Sequence, residues 1–125
     1  MRVVLGFLLM MTASLASAAA QVEGVRIWPA PDHTRLVLDT AGAVEHNVFS
    51  LSDPSRLVID LKNVSLKTDF SKVDLEGSPI RRIRSARRNG NDLRVVLDLA
   101  SDIKPRSFAL EPNQQYGHRL VVDLI

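Results

Sequence analysis

The feature that most constrains the fold of this chain is a five-residue pattern of Arg, three aliphatic residues and Asp, which occurs four times. The four copies occupy residues 35–39, 56–60, 94–98 and 119–123. Alternate side chains of a strand point to opposite faces, so each copy puts its Arg, its central aliphatic residue and its Asp on one face. The pattern therefore predicts four strands, each with an apolar face for a core and a charged face for water or a ligand.

The segments around these copies indicate an internal repeat. Residues 22–61 and 80–124 each contain a β-rich opening segment, a turn, one copy of the pattern, a polar loop, a third strand and the second copy. The turn in the second half contains Asn89 and Gly90, which is typical of a hairpin turn whose two central residues both need positive φ. The short connections predict four antiparallel strands in each half.

The repeat predicts an all-β fold, a β-sandwich of two symmetry-related, mainly antiparallel four-stranded sheets that bury their aliphatic faces against each other. A single closed barrel is the alternative arrangement of the same strands. Residues 61–78 are expected to link the two halves, with a short helix at residues 71–76. Phe49 and Phe108 occupy matching positions in the two halves, and we expect both in the core.

Residues 1–20 have the composition of a secretory signal peptide. A positive charge precedes an apolar run at residues 3–11, and small-x-small cleavage patterns end at Ala18 and Ala20. The run is shorter than the roughly 20 residues that span a bilayer, so no transmembrane span is expected after the signal is removed. We therefore expect an exported domain at residues 21–125, and the absence of cysteine favours a bacterial envelope.

The sequence contains no recognisable catalytic constellation. His33, His46 and His118 lack the helical spacing of a zinc motif, no cysteine is present, and no Ser lies in a nucleophile elbow. Asp39 and Asp60 share strand faces with arginines, so we expect cross-strand ion pairs rather than acid–base catalysis. The chain is therefore predicted not to be an enzyme and to hold no cofactor or metal.

Two groups of outward-facing residues are candidates for ligand binding. Arg26, Trp28 and Arg35 fall on the polar face of the first hairpin, because Val25 and Ile27 supply its core-facing side. An indole ring stacks on sugar rings, and a guanidinium binds a carboxylate through two parallel hydrogen bonds.

The second group is basic and consists of Arg82, Arg84 and Arg94, flanked by Arg87 and Arg88. The alternative interpretation is a solvated basic edge that prevents sheets from aggregating. Nucleic acid is disfavoured as a partner because the chain is exported and lacks the interleaved aromatics of single-strand binders. An anionic glycan, a peptide carboxylate or an anionic membrane surface fits the charge better.

Taken together, these residues resemble an AMIN domain, and most closely the N-terminal module of periplasmic N-acetylmuramoyl-L-alanine amidases. The segments that carry the resemblance are residues 24–28, 34–39, 56–61, 78–84, 93–98 and 119–123. The resemblance implies a sandwich with the family's motifs on its outer faces. By position, it implies that the ligand-binding residues are Arg26, Trp28, Arg35, Arg82, Arg84 and Arg94.

The resemblance also implies a function, that of a non-catalytic periplasmic domain that binds peptidoglycan and targets a cell-wall amidase to the division septum. It implies zinc only in a separate catalytic domain with His and Glu ligands. The sequence ends at Ile125 before any such domain, so a fragment of a longer amidase and a stand-alone exported module both stay open. Two alternatives are a wall-anchoring AMIN domain of a type IV pilus secretin and a protein-interaction module that recruits a divisome partner.

The four copies of the pattern are not expected to be equivalent. Arg35 and Arg94 follow the opening hairpins and are candidates for ligand contact. Arg56 and Arg119 lie in the closing strand of each half, where we expect them to pair with nearby Asp residues.

Overall fold

A computed structural model describes residues 19–125, which form nine β-strands and one short 3₁₀ helix at Phe70–Lys72. The strands are β1 (Ala20–Pro29), β2 (Thr34–Ala41), β3 (His46–Leu51), β4 (Arg56–Leu61), β5 (Val64–Leu66), β6 (Ile80–Arg88), β7 (Asp92–Leu99), β8 (Pro105–Leu110) and β9 (His118–Leu124). The predicted signal peptide at residues 1–20 lies outside the described residues except at its end, where Ala20 begins β1.

The strands form two sheets, and this confirms the predicted β-sandwich, but one of the sheets has five strands instead of the predicted four because β5 of the link adds to its edge. Sheet A has the strand order β5-β1-β2-β9-β8, and sheet B has the order β3-β4-β7-β6. Neighbouring strands run antiparallel except for β1 and β5, which pair in parallel. The four copies of the Arg-aliphatic-Asp pattern all lie in central strands of the two sheets, namely β2, β4, β7 and β9.

Each sheet combines strands from both halves of the repeat. Sheet A joins the β1–β2 hairpin of the first half to β9 and β8 of the second half, and sheet B joins β4 and β3 to the β7–β6 hairpin. The two patterns in each sheet therefore lie side by side, because β2 pairs with β9 and β4 pairs with β7. The halves thus exchange hairpins, because the second hairpin of each half pairs with the first hairpin of the other half.

The core lies between the inner faces of the two sheets. Leu36 and Leu38 of β2 and Ile59 of β4 are among its fully buried side chains. Burying one such side chain contributes about 1.5–3 kcal/mol. The inward-facing residues of the repeated pattern therefore supply the main driving force for joining the sheets.

The link between the halves contributes its own structure. β5 adds to the edge of β1 over Ala20–Val22, and the 3₁₀ helix brings Phe70 into the core at 7% exposure. The predicted helix at residues 71–76 is therefore shorter and begins one residue earlier. The Asn89-Gly90 turn has φ values of 50° and 81°, and this confirms the predicted positive φ at both turn residues.

Phe49 and Phe108 do not lie in the core, so that prediction is wrong. Phe49 is opposite Val58, and Phe108 is opposite Val121, and all four side chains lie on the outer faces of the sheets. Both Phe rings are half-buried. The register explains this result, because Val48 of β3 packs against the core and Ala109 of β8 lies opposite the core residue Leu120, so the alternate Phe side chains face outward.

Candidate functional site

The outer face of sheet A holds Arg26 and Arg35, each fixed by an Asp of a neighbouring strand. Arg26 donates from Nε and Nη2 to the two carboxylate oxygens of Asp39, at 2.8 and 2.7 Å. Arg35 donates in the same way to Asp123, at 2.9 and 3.0 Å. Bidentate pairs of this kind fix the plane of a guanidinium as well as its position.

The outer face of sheet B repeats this geometry. Arg84 donates to Asp98 at 2.8 Å through both nitrogens, and Arg94 donates to Asp60 at 2.8 and 2.9 Å. Asp60 also accepts from Nη1 of Arg88 at 2.8 Å. The expected cross-strand ion pairs of Asp39 and Asp60 are therefore confirmed.

The hydrogen bonds of these pairs shift the pKa of Arg26, Asp98 and Asp123 in favour of the charged form. The hydrogen bonds from Arg84 and Arg35 lower the pKa of Asp98 and Asp123, respectively, because they stabilise the ionised carboxylates. The hydrogen bond to Asp39 likewise raises the pKa of Arg26. Each paired guanidinium has used Nε–H and one Nη2–H, so it keeps both hydrogens of Nη1 and one of Nη2 for a ligand.

The half-buried Phe rings support two of these guanidinium groups. The Cζ atom of Arg35 lies 5.6 Å from the centroid of Phe108, and that of Arg94 lies 5.8 Å from the centroid of Phe49. A cation above an aromatic face is attracted by the ring's quadrupole. The two Phe residues therefore serve the outer faces by holding arginines in place.

Arg119 does not pair with an Asp, so that prediction is wrong. The register places it opposite Asp39, but Arg26 occupies both oxygens of that carboxylate. Arg119 donates instead to the backbone carbonyls of Gly117 at 3.3 Å and Glu111 at 3.2 Å.

Arg56 shows the same departure in sheet B. It lies opposite Asp98, whose oxygens accept from Arg84, and it donates to the backbone carbonyl of Pro54 at 3.0 Å. Arg56 and Arg119 are thus the two pattern arginines without a carboxylate within ion-pair distance among residues 19–125.

Aromatic rings extend the paired guanidinium of Arg26 into a stack on sheet A. Its Cζ atom lies 5.1 Å from the centroid of Trp28 and 5.0 Å from that of Tyr116. The Cζ atom of Arg119 lies 5.1 Å from the same Tyr116 ring. Trp28 is 49% exposed and Tyr116 is 43% exposed, so both rings are accessible to a ligand.

A surface depression of about 230 Å³ lies beside this stack. Trp28, Tyr116 and Arg119 line it together with the paired arginines of sheet A. The sequence analysis identified Trp28 but missed Tyr116, which is the chain's single Tyr and lies in the loop before β9 without any periodic signal. The same analysis predicted an ion pair for Arg119 and therefore missed its place beside Tyr116.

The six predicted binding residues fall into two groups on opposite sides of the sandwich. Sheet A carries Arg26, Trp28 and Arg35, and sheet B carries the other three. Arg82 lies opposite Asp98 in the register and is exposed, whereas Asp98 pairs with Arg84 two residues further on. Each group is therefore a separate candidate site.

A hollow of about 350 Å³ lies at one end of sheet B and is lined by residues of both charges. Lys62 lies 3.8 Å from Glu45, and Asp92 accepts from the backbone N–H of Asn63 at 3.0 Å. Asp60 also lines the hollow, and its two carboxylate oxygens accept from Arg88 and Arg94.

Among residues 19–125, no three His, Asp or Glu side chains are grouped as metal ligands. In the same range, no helix has the length and apolar character needed to cross a bilayer.

Comparison with known proteins identifies the family. The family model described as AMIN domain matches residues 24–124. The N-acetylmuramoyl-L-alanine amidase AmiC of Neisseria meningitidis serogroup B is 36% identical over 110 residues, which cover 85% of this chain and 26% of that protein. The protein of the same name from Escherichia coli O6:H1 is 31% identical over 112 residues, which cover 86% of this chain and 27% of that protein. The chain thus spans about a quarter of the length of these relatives, and it belongs to the AMIN domain family.

Proposed function

We propose that this domain binds peptidoglycan without catalysing a reaction and thereby targets a cell-wall N-acetylmuramoyl-L-alanine amidase. The observation that carries the proposal is the presence, on both outer faces, of arginines held rigidly by Asp and still able to donate hydrogen bonds. The names of the two relatives support the choice of a cell-wall partner.

Peptidoglycan contains peptide carboxylates, which suit the arginines of these faces, and sugar rings, which suit Trp28. The free N–H groups of Arg26, Arg35, Arg84 and Arg94, together with exposed Arg82, are the proposed donors to carboxylates, and Trp28 is the proposed stacking partner of a sugar. An exposed contact of this kind contributes on the order of 1 kcal/mol or less. Useful affinity therefore depends on engaging several contacts, and both faces, at once.

The proposed location follows from the proposed ligand. The composition of residues 1–20 supports export to the periplasm, and the division septum is the site where an amidase separating daughter cells is needed. In this proposal zinc belongs to the catalytic domain of the parent amidase. Wall anchoring within a type IV pilus secretin is an alternative use of the same binding activity.

A protein-interaction module is the second candidate function, and an open sheet edge favours it. β5 covers only Ala20–Val22 of β1, so residues 24–28 border a groove of about 600 Å³ whose other side is the loop at residues 68–74. An extended segment of a divisome partner could add to β1 as another strand.

Co-sedimentation of the purified protein with isolated sacculi tests the first proposal. We expect the protein to pellet with sacculi at low salt and to release as salt rises, because arginine contacts are screened. Protein that stays in the supernatant at low salt would reject wall binding and leave the partner-binding function.

Two double variants then show which sheet contacts the sacculi. Arg26→Ala with Arg35→Ala removes two donors of sheet A, and Arg82→Ala with Arg84→Ala removes two donors of sheet B. Unfolding in urea shows whether each double variant is still folded. Unchanged pelleting of both folded double variants would reject the arginine mechanism.

A further inference from the structure

The two outer faces share one framework of guanidinium–carboxylate pairs. Arg26 with Asp39 on sheet A corresponds to Arg84 with Asp98 on sheet B, and the remaining pair of each face also matches. Within the described residues 19–125, each face also has a pattern arginine that donates only to backbone carbonyls, Arg119 on sheet A and Arg56 on sheet B. Arginine chemistry alone therefore gives both faces similar ligands.

The aromatic residues break this symmetry. Trp28 lies opposite Arg35, and the position opposite the equivalent arginine of sheet B is Ala86. Tyr116 lies three residues before Arg119, and Asp53 lies three residues before Arg56. Both exposed rings of the stack thus belong to sheet A. A pyranose ring packs its face of C–H groups against such a ring, and sheet B has no aromatic residue at either position.

The rings of sheet A are held in place before any ligand arrives. Asp39 fixes Arg26 through two hydrogen bonds, and Arg26 lies within 5.1 Å of the centroids of both Trp28 and Tyr116. Cation–π contacts of this kind hold the two rings against the guanidinium. A ligand that stacks on preordered rings loses less side-chain entropy on binding.

Arg119 adds a cation directly beside the stacking surface. It lies 5.1 Å from the Tyr116 centroid, and its bonds to Gly117 and Glu111 use Nε and Nη2, so Nη1 has no hydrogen-bond partner among residues 19–125. The adjoining depression of about 230 Å³ is smaller than the roughly 300–1,000 Å³ of pockets that enclose drug-sized ligands. It therefore suits one sugar ring whose anionic group is attached close to the ring.

We infer that the outer face of sheet A is a subsite for a carboxylated sugar, in which Trp28 and Tyr116 contact the ring and Arg119 binds the carboxylate. The inference rests on the proposed peptidoglycan binding and specifies its ligand. In intact peptidoglycan the lactyl carboxyl of the muramoyl sugar forms an amide bond with the peptide and carries no charge. Hydrolysis of that amide consumes one water and releases an amine and a free lactyl carboxylate. The subsite therefore prefers glycan from which the peptides have been removed.

Binding to three glycans tests the subsite. The probes are intact glycan strands, the same strands after digestion with an N-acetylmuramoyl-L-alanine amidase, and an uncharged N-acetylglucosamine oligomer. We expect the digested strands to bind several-fold more tightly than the other two. Trp28→Ala and Tyr116→Ala should each weaken binding of the digested strands by roughly three- to tenfold, in line with the energy of aromatic contacts.

Arg119→Ala should remove the preference for digested strands, whereas Arg56→Ala, its matched control on sheet B, should keep that preference. Equal binding of digested and intact strands, or equal effects of the two arginine variants, would overturn the subsite while wall binding stands. Failure of the unaltered protein to bind any wall material would reject the proposed function itself.

Discussion

The guanidinium carbon of Arg26 lies 5.0 Å from the centroid of the Tyr116 ring, although the two residues come from opposite ends of the domain. Arg26 is in β1, and Tyr116 is in the loop before β9. They meet because β2 pairs with β1 on one side and with β9 on the other. The candidate saccharide site is therefore a product of the exchange of hairpins between the two halves.

The stack makes a prediction about the Tyr116 ring. Tyr116→Phe should keep glycan binding within about twofold, because the ring and its contacts with Arg26 and Arg119 are retained. Tyr116→Ala should weaken binding by roughly three- to tenfold, as expected for an aromatic contact, with little loss of stability because the ring is 43% exposed. Isothermal titration with peptide-free glycan measures both effects. Equal weakening by the two variants would assign the contribution to the hydroxyl group instead.

The pairing of Asp123 with Arg35 predicts a pH-dependent stability. Because the pKa of Asp123 is lower in the folded protein than in the unfolded chain, the unfolded chain takes up the proton first as pH falls. The stabilisation is complete above the unfolded pKa of roughly 4 and is lost as pH falls through the lower folded pKa. Asp123→Asn should therefore cost about 1 kcal/mol at pH 7 and much less near pH 2.

Urea unfolding at several pH values checks this prediction. Glu23→Gln is the matched control, since it removes an exposed carboxyl outside the ion pairs of residues 19–125. A difference between Asp123→Asn and the unaltered protein that stays constant with pH would contradict the linkage.

The core makes a prediction about two leucines that differ in burial. Leu38→Ala should lower the free energy of unfolding by about 2–5 kcal/mol, because Leu38 is fully buried and its removal leaves a cavity. Leu51 is 41% exposed at the end of β3, and Leu51→Ala should cost less than about 1 kcal/mol. Denaturant unfolding of the two variants gives the comparison. Similar losses for both would mean that the inner faces do not form the main core.

The hairpin turn of sheet B makes a prediction about backbone strain. Gly90 has a φ of 81°, and a Cβ atom there would meet no heavy atom within 4 Å. Gly90→Ala should therefore cost about 1–2 kcal/mol through its backbone conformation alone. Gly117→Ala is a suitable comparison, because a Cβ atom there would make only an ordinary contact, at 3.8 Å, and its φ lies outside the left-handed region. A smaller loss of stability for Gly90→Ala than for Gly117→Ala in thermal unfolding would contradict this prediction.

Sequence periodicity predicted the faces of the strands well where aliphatic residues alternate with polar ones. It assigned Trp28 to the outer face correctly, because Val25 and Ile27 pack against the core. It failed for Phe49 and Phe108, because a large apolar residue was assumed to be buried between the sheets. Their rings instead lie beneath arginines on the outer faces, where a guanidinium covers an aromatic surface that would otherwise meet water.

The identity of each ion pair could not be derived from the pattern. Every copy contains both Arg and Asp, so several partners are chemically equivalent in the sequence. Arg119 lies directly opposite Asp39, yet Arg26 reaches that carboxylate diagonally and occupies both of its oxygens. Arg35 and Arg94, the predicted candidates for ligand contact, are therefore paired with Asp residues. Arg56 and Arg119, which were predicted to pair with Asp, bind backbone carbonyls instead.

The sequence by itself determined the all-β class, the division of each strand into an apolar and a charged face, and the positive-φ turn at Asn89 and Gly90. These features depend on residues close together in the chain, since the alternation of a strand and the geometry of a turn are local. The tertiary structure alone decided which hairpins share a sheet, which Arg meets which Asp, and that Tyr116 joins Arg26 and Trp28 on one face. Those relationships depend on pairing between distant strands, and the fourfold pattern makes several pairings equally compatible with local chemistry.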